Sequence, residues 1–576
     1  MKRPSDILVA IQDGRWGGAI ARARAVADRW AAAAWLATRR GSGEAPDPAL
    51  VRDALEAALL PAGATVRIIG AADEAAIGRP GGPPAPAGPP LDHLPPAAGA
   101  PLDHLPPAAA GPPLDHLPPA AAAPALAGLA AEVDALVVVV PVWPGGRRAA
   151  SSATRTLRRP EWWLAAAEEA GLEPWVELRR GGGHACLVLG RPQPVAPRAT
   201  RPAVASSGFH IRICDDLSRP TSFTWISASI ALALERIGVR VSIAPTELSG
   251  SIEPDRRRAL TALIEHGRAP RATAEVGWTH FWPEYRRPLG GEQPLALFAV
   301  NYAFAESSPD GWDPWMRGLV EGSQPLGPIS TFCAEVLASA GVGEERLDVV
   351  PLAPTEGVSD AESAELPRAR ALKLLHVTNS GDPERHGTDV ALAAFREAFA
   401  PGDDVTFVVR DYGASQPGLA TAVAWLAADG YDVRYWPAFY PAHRLGTFLS
   451  AFDVLVAPFR GEGFGIKLLD AMACGLPVVG PRFGGPADFF ADDAAYVVPH
   501  RLEPVRAGAD ASLLALGNRP LWAETAAADV AARLRECRDD PAELARRGKA
   551  ARGVAARFTW ERTARAIVAS VERRRR

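Results

Sequence analysis

The stretch APFRGEGFGIKLLDAMACGLPVVG, residues 457–480, decides the fold of this chain. An apolar run ends at Phe459, and a helix-like pattern begins at Ile466 and is stopped by Gly475. The turn between them contains three glycines at alternate positions: Gly461, Gly463 and Gly465. The pattern predicts a strand, a glycine-rich turn and a helix over 466–474.

The predicted turn has the features of a diphosphate site. Small residues let a ligand approach the backbone, and the first turn of a helix presents free N–H groups with positive dipole character. Glu462 lies in the turn and Asp470 follows eight residues later, which places them roughly 12 Å apart at most at ~1.5 Å per residue. One carboxylate can therefore hold a group on one side of a diphosphate while the other holds a ribose on the opposite side.

Strand-like and helix-like patterns alternate on the N-terminal side of this stretch. The segments nearest to it are strands at 371–379, 405–411, 433–439 and 453–459 with helices at 389–399, 418–429 and 443–451. An earlier β-α-β step runs from HIRIC (210–214) through a helix to VRVSIAP (239–245). We therefore expect two consecutive α/β domains, 207–365 and 370–565, with a ligand cleft at the carboxyl ends of their strands.

The first third of the chain predicts a further Rossmann-like α/β domain over 1–195. The run VDALVVVVPVW (133–143) is typical of a strand buried on both faces. A Pro/Ala-rich repeat at 80–124 interrupts the domain with sixteen prolines in 45 residues. Its three histidines are a candidate metal set, but extended repeats of this composition favour a linker.

Composition excludes several classes of protein. The 576 residues carry 62 Lys+Arg against 66 Asp+Glu, so no global field attracts nucleic acid. The five cysteines are isolated, which argues against a disulfide scaffold or a structural zinc site. No apolar run is long enough to span a bilayer, so we expect a cytoplasmic protein. The C-terminal run 573–576, four arginines, keeps open a peripheral contact with the inner face of a membrane.

The 462–480 segment resembles the family 4 retaining glycosyltransferases of the GT-B fold. EGFGIKLLDAMACGLPVVG is similar to their EGFGLPxxEAMAxGxPVV signature, and ERHGTDVALAAFREAF (384–399) resembles the opening of their nucleotide-binding domain. The resemblance covers about 207–565. It implies two Rossmann-like domains facing across a cleft, and transfer of a sugar from a nucleotide diphosphate sugar to a glycan or other hydroxyl acceptor with retention of anomeric configuration, as in polysaccharide biosynthesis. Neither a metal nor a cofactor is implied.

The resemblance also assigns roles to individual residues. It implies that Glu462 touches the donor sugar and that Asp470, where the family usually has Glu, binds the ribose hydroxyls. It places Arg385 and His386, at the family's Arg-Lys pair, on the donor diphosphate. The remaining donor-binding candidates follow Glu462 in the chain: Gly463, Phe464, Gly465, Ile466 and Lys467.

Alternatives remain open at this stage. Lys467 stands where the family often has proline, so it either restores positive charge at the diphosphate or is an exposed helix lysine. His280 is a candidate on the acceptor side, with an ordinary packed histidine as the other interpretation. A degenerate fold that binds a nucleotide sugar without turnover is the main rival function. A sugar-nucleotide epimerase is disfavoured by the signature, and a bifunctional glycosyltransferase/methyltransferase is suggested by a resemblance of 1–195 to the C-terminal part of class I methyltransferase domains.

Overall fold

The computed structural model describes the chain in separate ranges. They are 66–69, 126–127, 135–141, 166–180, 184–190, 210–218, 221–249, 252–265, 272, 274–279, 294–305, 314–361, 363–413, 417–506 and 519–574. The Pro-rich repeat 80–124 and His280 lie outside these ranges. The linker interpretation of the repeat and the acceptor-side interpretation of His280 therefore stay predictions.

The strands follow in chain order. They are β1 (Val66–Ile69), β2 (Ala135–Pro141), β3 (Glu173–Arg180), β4 (His184–Gly190), β5 (His210–Ile213), β6 (Arg240–Ile243), β7 (Ala274–Thr279), β8 (Leu295–Phe298), β9 (Ala303–Phe304), β10 (Leu326–Pro328), β11 (Leu372–Thr378), β12 (Val405–Asp411), β13 (Asp432–Trp436), β14 (Ala438–Phe439), β15 (Val454–Val456), β16 (Val478–Pro481), β17 (Ala495–Val498), β18 (Arg501–Pro504) and β19 (Pro520–Glu524).

The helices whose two ends are both described follow in the same order. They are α1 (Ser222–Arg236), α2 (Pro254–Leu263), α3 (Pro314–Glu321), α4 (Thr331–Ser339), α5 (Thr388–Ala398), α6 (Pro417–Ala428), α7 (Ala442–Ser450), α8 (Ile466–Ala473), α9 (Ala527–Asp539), α10 (Pro541–Ala555) and α11 (Trp560–Arg573). The helix expected over 466–474 is confirmed as α8, and the strand before the turn is confirmed as β15, shorter than the apolar run suggests.

The chain divides into two units, each assembled from separate segments. The first takes Met1–Ala196, Ala361–Gly381 and Ala400–Phe452, and the second takes Pro197–Asp360, Asp382–Phe399 and Asp453–Arg576. The division does not follow the three domains expected at 1–195, 207–365 and 370–565. Those boundaries stay a prediction.

The first unit contains a mixed sheet and a parallel set of strands. β1 pairs in parallel with β2, and β4 lies antiparallel between β2 and β3. The short β14 extends this sheet by pairing with β3. β11, β12 and β13 pair in parallel, and every residue of β12 is buried, as expected for a parallel strand covered on both faces.

The second unit contains the segments that position the candidate site. Five parallel strands lie in the order β10-β8-β7-β5-β6, and α1 makes the crossover from β5 to β6. β15, β16 and β17 also pair in parallel, with α8 between the first two. An antiparallel set in the order β18-β19-β9 completes the unit. The α/β class with parallel sheets expected from the alternating pattern is confirmed.

Candidate active site

The glycine-rich turn and the start of α8 form the framework of the site. Gly465 is the N-cap of α8 with φ +86°, and no side chain caps the first N–H groups of this helix. A Cβ at Gly465 would come within 2.9 Å of Pro486 and Leu468, so the turn requires glycine for both conformation and space. The apolar residues of α8 face the core and include Leu468, Leu469 and Met472. The backbone at the start of α8 is thereby held in place.

Glu462 is the centre of a charged cluster. Its Oε1 lies 2.5 Å from Nζ of Lys467, 3.6 Å from Nη1 of Arg385 and 4.0 Å from Nδ1 of His386. The Glu462 side chain is only 12% exposed. The structure thus brings together four of the residues expected on the donor diphosphate and sugar. The alternative of an exposed helix lysine is wrong, because the Lys467 side chain is 18% exposed and lies against a carboxylate.

His386 lies between two nitrogen-bearing side chains. Its Nε2 is 3.1 Å from Nη2 of Arg385, and its Nδ1 is 2.5 Å from Nζ of Lys467. A guanidinium can only donate, so Nε2 accepts and the single N–H of a neutral imidazole is left on Nδ1. Lys467 can accept this N–H only as the uncharged amine. Burial lowers the pKa of Lys467, and the nearby charge of Glu462 opposes the shift without cancelling it.

Arg385 is held in place by its own loop and by the glycine-rich turn. Its Nε donates to Asp382 at 2.5 Å, and its Nη1 donates to the carbonyl oxygen of Gly461 at 3.0 Å. The loop then enters α5 through Gly387, which has φ +68°. A Cβ at Gly387 would lie 1.8 Å from the carbonyl oxygen of Pro458. Glycine here lets the loop that carries Arg385 approach the end of the strand segment before the turn.

Asp470 is engaged by a residue outside this cluster. Its Oδ1 accepts from the backbone N–H of Thr355 at 2.6 Å and its Oδ2 accepts from the Thr355 hydroxyl at 2.9 Å. The carboxylate is buried, and both oxygens are engaged by one residue. In this structure Asp470 therefore fastens α8 to the segment that contains Thr355.

Two of the other donor-binding candidates have contacts within the protein. The N–H of Gly463 donates to Oδ1 of Asn301 at 2.8 Å, and its carbonyl accepts from the Ser330 hydroxyl at 2.7 Å. Phe464 is buried, with its ring against those of Phe489 and Phe558. These two residues fix the turn, whereas the N-terminal N–H groups of α8, at Ile466 and Lys467, belong to its uncapped first turn.

The sequence interpretation missed Arg460, which lies directly before the turn. Its guanidinium is 1% exposed and pairs with Asp389 and Glu524, each at 2.7 Å. The available signal was weak: an arginine between an apolar run and a glycine resembles an exposed loop residue. Asp389 in the first turn of α5 was visible, but nothing in the sequence pairs it with a residue 71 positions away.

No group of three or more His, Cys, Asp or Glu side chains that could hold a metal occurs in the described part of the chain. The same residues contain no helix that is both long and apolar enough to cross a bilayer.

Comparison with known proteins identifies the family. Residues 371–517 match the family described as "Glycosyl transferases group 1". The D-inositol 3-phosphate glycosyltransferase of Arthrobacter sp. (strain FB24) is 30% identical over 399 residues, which cover 64% of this chain and 86% of that protein. The chain therefore belongs to the group 1 glycosyl transferases.

A second relative and a solved structure are also similar. The D-inositol 3-phosphate glycosyltransferase of Segniliparus rotundus is 30% identical over 316 residues, which cover 52% of this chain and 63% of that protein. The chain thus matches less than two thirds of the length of this relative. The crystal structure of Anabaena Alr3699/HepE in complex with UDP and glucose has a TM-score of 0.43 at 13% identity, over 63% of this chain and 99% of that one.

Proposed function

We propose that the protein is a retaining glycosyltransferase of family 4 with GT-B architecture, which moves a sugar from a nucleotide diphosphate sugar to a hydroxyl acceptor. The observation that carries the proposal is the meeting of Glu462 with Arg385, His386 and Lys467 at the uncapped start of α8. One carboxylate beside several nitrogen donors suits a ligand that has both sugar hydroxyls and a diphosphate.

The chemistry follows from where charge develops. When the bond between the anomeric carbon and the diphosphate oxygen breaks, negative charge grows on the leaving group, and preorganised donors there lower the barrier most. Arg385, Lys467 and the first N–H groups of α8 supply those donors. The acceptor oxygen bonds to the anomeric carbon on the same face, and its proton passes to the departing phosphate oxygen. This route requires neither a metal nor a cofactor.

Glu462 has the task of orienting the donor sugar. Its carboxylate lies against Lys467, so a bound donor must take over that contact. A diphosphate beside Lys467 favours the ammonium form, which then turns from His386 and Glu462 to the phosphate. Glu462 is thereby released to accept hydrogen bonds from sugar hydroxyls.

The contact of Asp470 with the ribose stays a separate hypothesis. The resemblance implies it, but the two hydrogen bonds from Thr355 would first have to be exchanged for ribose hydroxyls. We propose that Asp470 holds the position of α8, and that the donor is bound without it.

The names of the relatives supply candidate ligands. Two relatives are named for D-inositol 3-phosphate, and one solved neighbour was crystallised with UDP and glucose. We therefore place phosphorylated cyclitols beside glycans among the acceptors to test, and UDP-sugars beside GDP-sugars among the donors. An intracellular site of action, alone or at the inner membrane face, belongs to the same proposal.

The proposal is tested by a donor screen on the full chain. UDP-, GDP- and ADP-sugars are incubated with the protein and a panel of hydroxyl acceptors, and nucleoside diphosphate release is measured. NMR of the product compares its anomeric configuration with that of the donor. Release with a retained anomer is expected. If no donor gives release but nucleoside diphosphates bind, the rival function, binding without turnover, replaces the transferase.

A further inference from the structure

We propose that Arg460 is a positioning residue, which sets the separation between the loop carrying Arg385 and His386 and the turn carrying Glu462. The inference rests on the proposed function for its effect on catalysis, but its structural part stands on the contacts of Arg460 alone. Arg460 itself faces away from solvent, with 1% of the side chain exposed, and is assigned no contact with substrate.

The side chain of Arg460 joins its own segment to two others: the stretch 384–389, which leads into α5, and the end of β19. Nη1 and Nη2 donate to the two oxygens of Asp389 in α5 at 2.7 and 2.8 Å. Nε and Nη2 donate to the two oxygens of Glu524 at the end of β19 at 2.8 and 2.7 Å. Nη1 also donates to the carbonyl oxygen of Glu384 at 2.7 Å. The guanidinium group therefore binds two carboxylates bidentately and makes one hydrogen bond to the loop that carries Arg385.

The backbone of Arg460 repeats this connection. Its N–H donates to the carbonyl oxygen of Arg385 at 2.7 Å, and its carbonyl oxygen accepts from the N–H of Ala523 at 2.9 Å. Arg460 thus binds two consecutive carbonyl groups of this loop, those of Glu384 and Arg385. Glu462 lies only two residues further along the chain, so a displacement of Arg460 moves both halves of the site.

Stability alone does not require an arginine at this position. A buried ion network is commonly replaced by apolar residues of similar volume without loss of stability. The planar guanidinium group of an arginine, by contrast, fixes the relative positions of the groups that it binds. Burial lowers the pKa of Arg460, but the charges of Asp389 and Glu524 more than reverse this and raise the pKa above its ordinary value. The guanidinium is therefore a permanent cation whose five N–H directions are fixed.

The site is sensitive to small displacements. Glu462 lies within 4 Å of both Lys467 and Arg385, and a misplacement of ~1 Å in a catalytic site can cost about 100-fold in rate. A lysine at 460 would keep the charge for Asp389 and Glu524. It could not reach both carboxylates bidentately and the Glu384 carbonyl at once.

The experiment compares Arg460→Lys with Arg506→Lys in the full chain. Arg506 is a matched control, because its guanidinium also lies over the Trp522 ring and pairs with Glu524, at 3.0 Å. Arg460→Met is a second variant, which removes the charge. Hydrogen–deuterium exchange over 382–390 and 460–466 reports how firmly the loop and the turn are held, and it requires no enzymatic activity. The kinetic constants kcat and KM are then measured with the best donor sugar.

We expect Arg460→Lys to raise amide exchange in both segments about tenfold or more, with a fall in kcat of the same order, while Arg506→Lys leaves both at wild-type values. A role limited to neutralising buried carboxylates would instead be rescued by lysine. The proposal is overturned if amide exchange in Arg460→Lys stays at the wild-type rate, or if Arg506→Lys raises amide exchange by the same factor. If Arg460→Met does not fold, the lysine comparison alone decides. A wild-type protein without transferase activity overturns the proposed function, and the exchange data then still decide the role of Arg460.

Discussion

Nζ of Lys467 lies 2.5 Å from Oε1 of Glu462, within a helix start that has no side-chain cap. The contact joins a residue expected on the donor sugar to one expected on the donor diphosphate. In this structure the two functional groups therefore form an ion-pair contact with one another. A ligand with hydroxyls and a diphosphate can replace both halves of this contact, which is why we regard it as the centre of the candidate site.

Lys467 predicts a pH dependence of nucleotide binding. Burial lowers its pKa, while a bound diphosphate favours the ammonium. Affinity for a nucleoside diphosphate should therefore fall as pH rises through the lowered pKa, because binding must then take up a proton. Calorimetry across pH, in buffers of different ionisation enthalpy, measures both the fall and the uptake. In Lys467→Arg the charge is permanent, so a fall that persists unchanged in this variant would contradict the assignment.

The same shift affects stability with a defined sign. The pKa of Lys467 is lower in the folded protein than in the unfolded chain, where it has its ordinary value of 10.5. Between the two values the unfolded chain binds more protons, so the unfolding free energy rises with pH. Denaturant titrations of the wild type and Lys467→Met should show the wild type gaining relative stability over that window. If the wild type instead loses stability relative to Lys467→Met as pH rises, the pKa of Lys467 is raised rather than lowered in the folded protein.

Gly387→Ala should destabilise the protein more than Gly402→Ala. Both glycines have positive φ, +68° and +87°, but only Gly387 faces a backbone atom, the carbonyl of Pro458, at 1.8 Å from its Cβ position. The shared backbone strain costs about 1–2 kcal/mol, and the clash at Gly387 adds about 1–3 kcal/mol. Thermal unfolding of the two variants makes the comparison. Equal Tm values would show that the loop does not approach the strand end as described.

Asp470→Asn should reduce stability, with coupling to Thr355. The asparagine keeps one acceptor of the two that Thr355 uses, and hydrogen bonds to a buried charged group contribute about 1.5–3 kcal/mol. A double-mutant cycle with Thr355→Val measures the coupling, for which about 0.5–3 kcal/mol is expected of contacting residues. Additive effects on stability together with a large rise in donor KM would instead support the ribose contact.

The sequence predicted the local parts of the site well. The glycines, the start of α8 at Ile466 and its stop near Gly475 follow from backbone preferences within a few residues, and the structure has the helix there. The parallel strands around it also follow from short-range patterns. Arg385, His386 and Glu462 were expected at one ligand because of the family resemblance, and the structure places them together.

The remaining parts depend on partners that are distant in sequence. The sequence pattern alone favours an exposed helix lysine at position 467. Only the folded chain shows that His386, 81 residues away, lies beside Lys467. The sequence favours a ligand-binding role for Asp470. In the folded chain, Thr355, 115 residues away, donates hydrogen bonds to both carboxylate oxygens of Asp470. Local periodicity contains no information about which buried carboxylate meets which donor, so these pairings, like those of Arg460, required the folded chain.

The most direct test of the account is nucleoside diphosphate release by Glu462→Gln. The glutamine keeps the shape of the side chain and removes the charge that faces Lys467 and Arg385. Glu503→Gln is the matched control, since Glu503 lies in the exposed β18. With the best donor and acceptor, we predict a fall in kcat of about 100-fold or more for Glu462→Gln, and wild-type rates for Glu503→Gln. A wild-type rate in a folded Glu462→Gln protein would contradict the assignment of this cluster as the donor site.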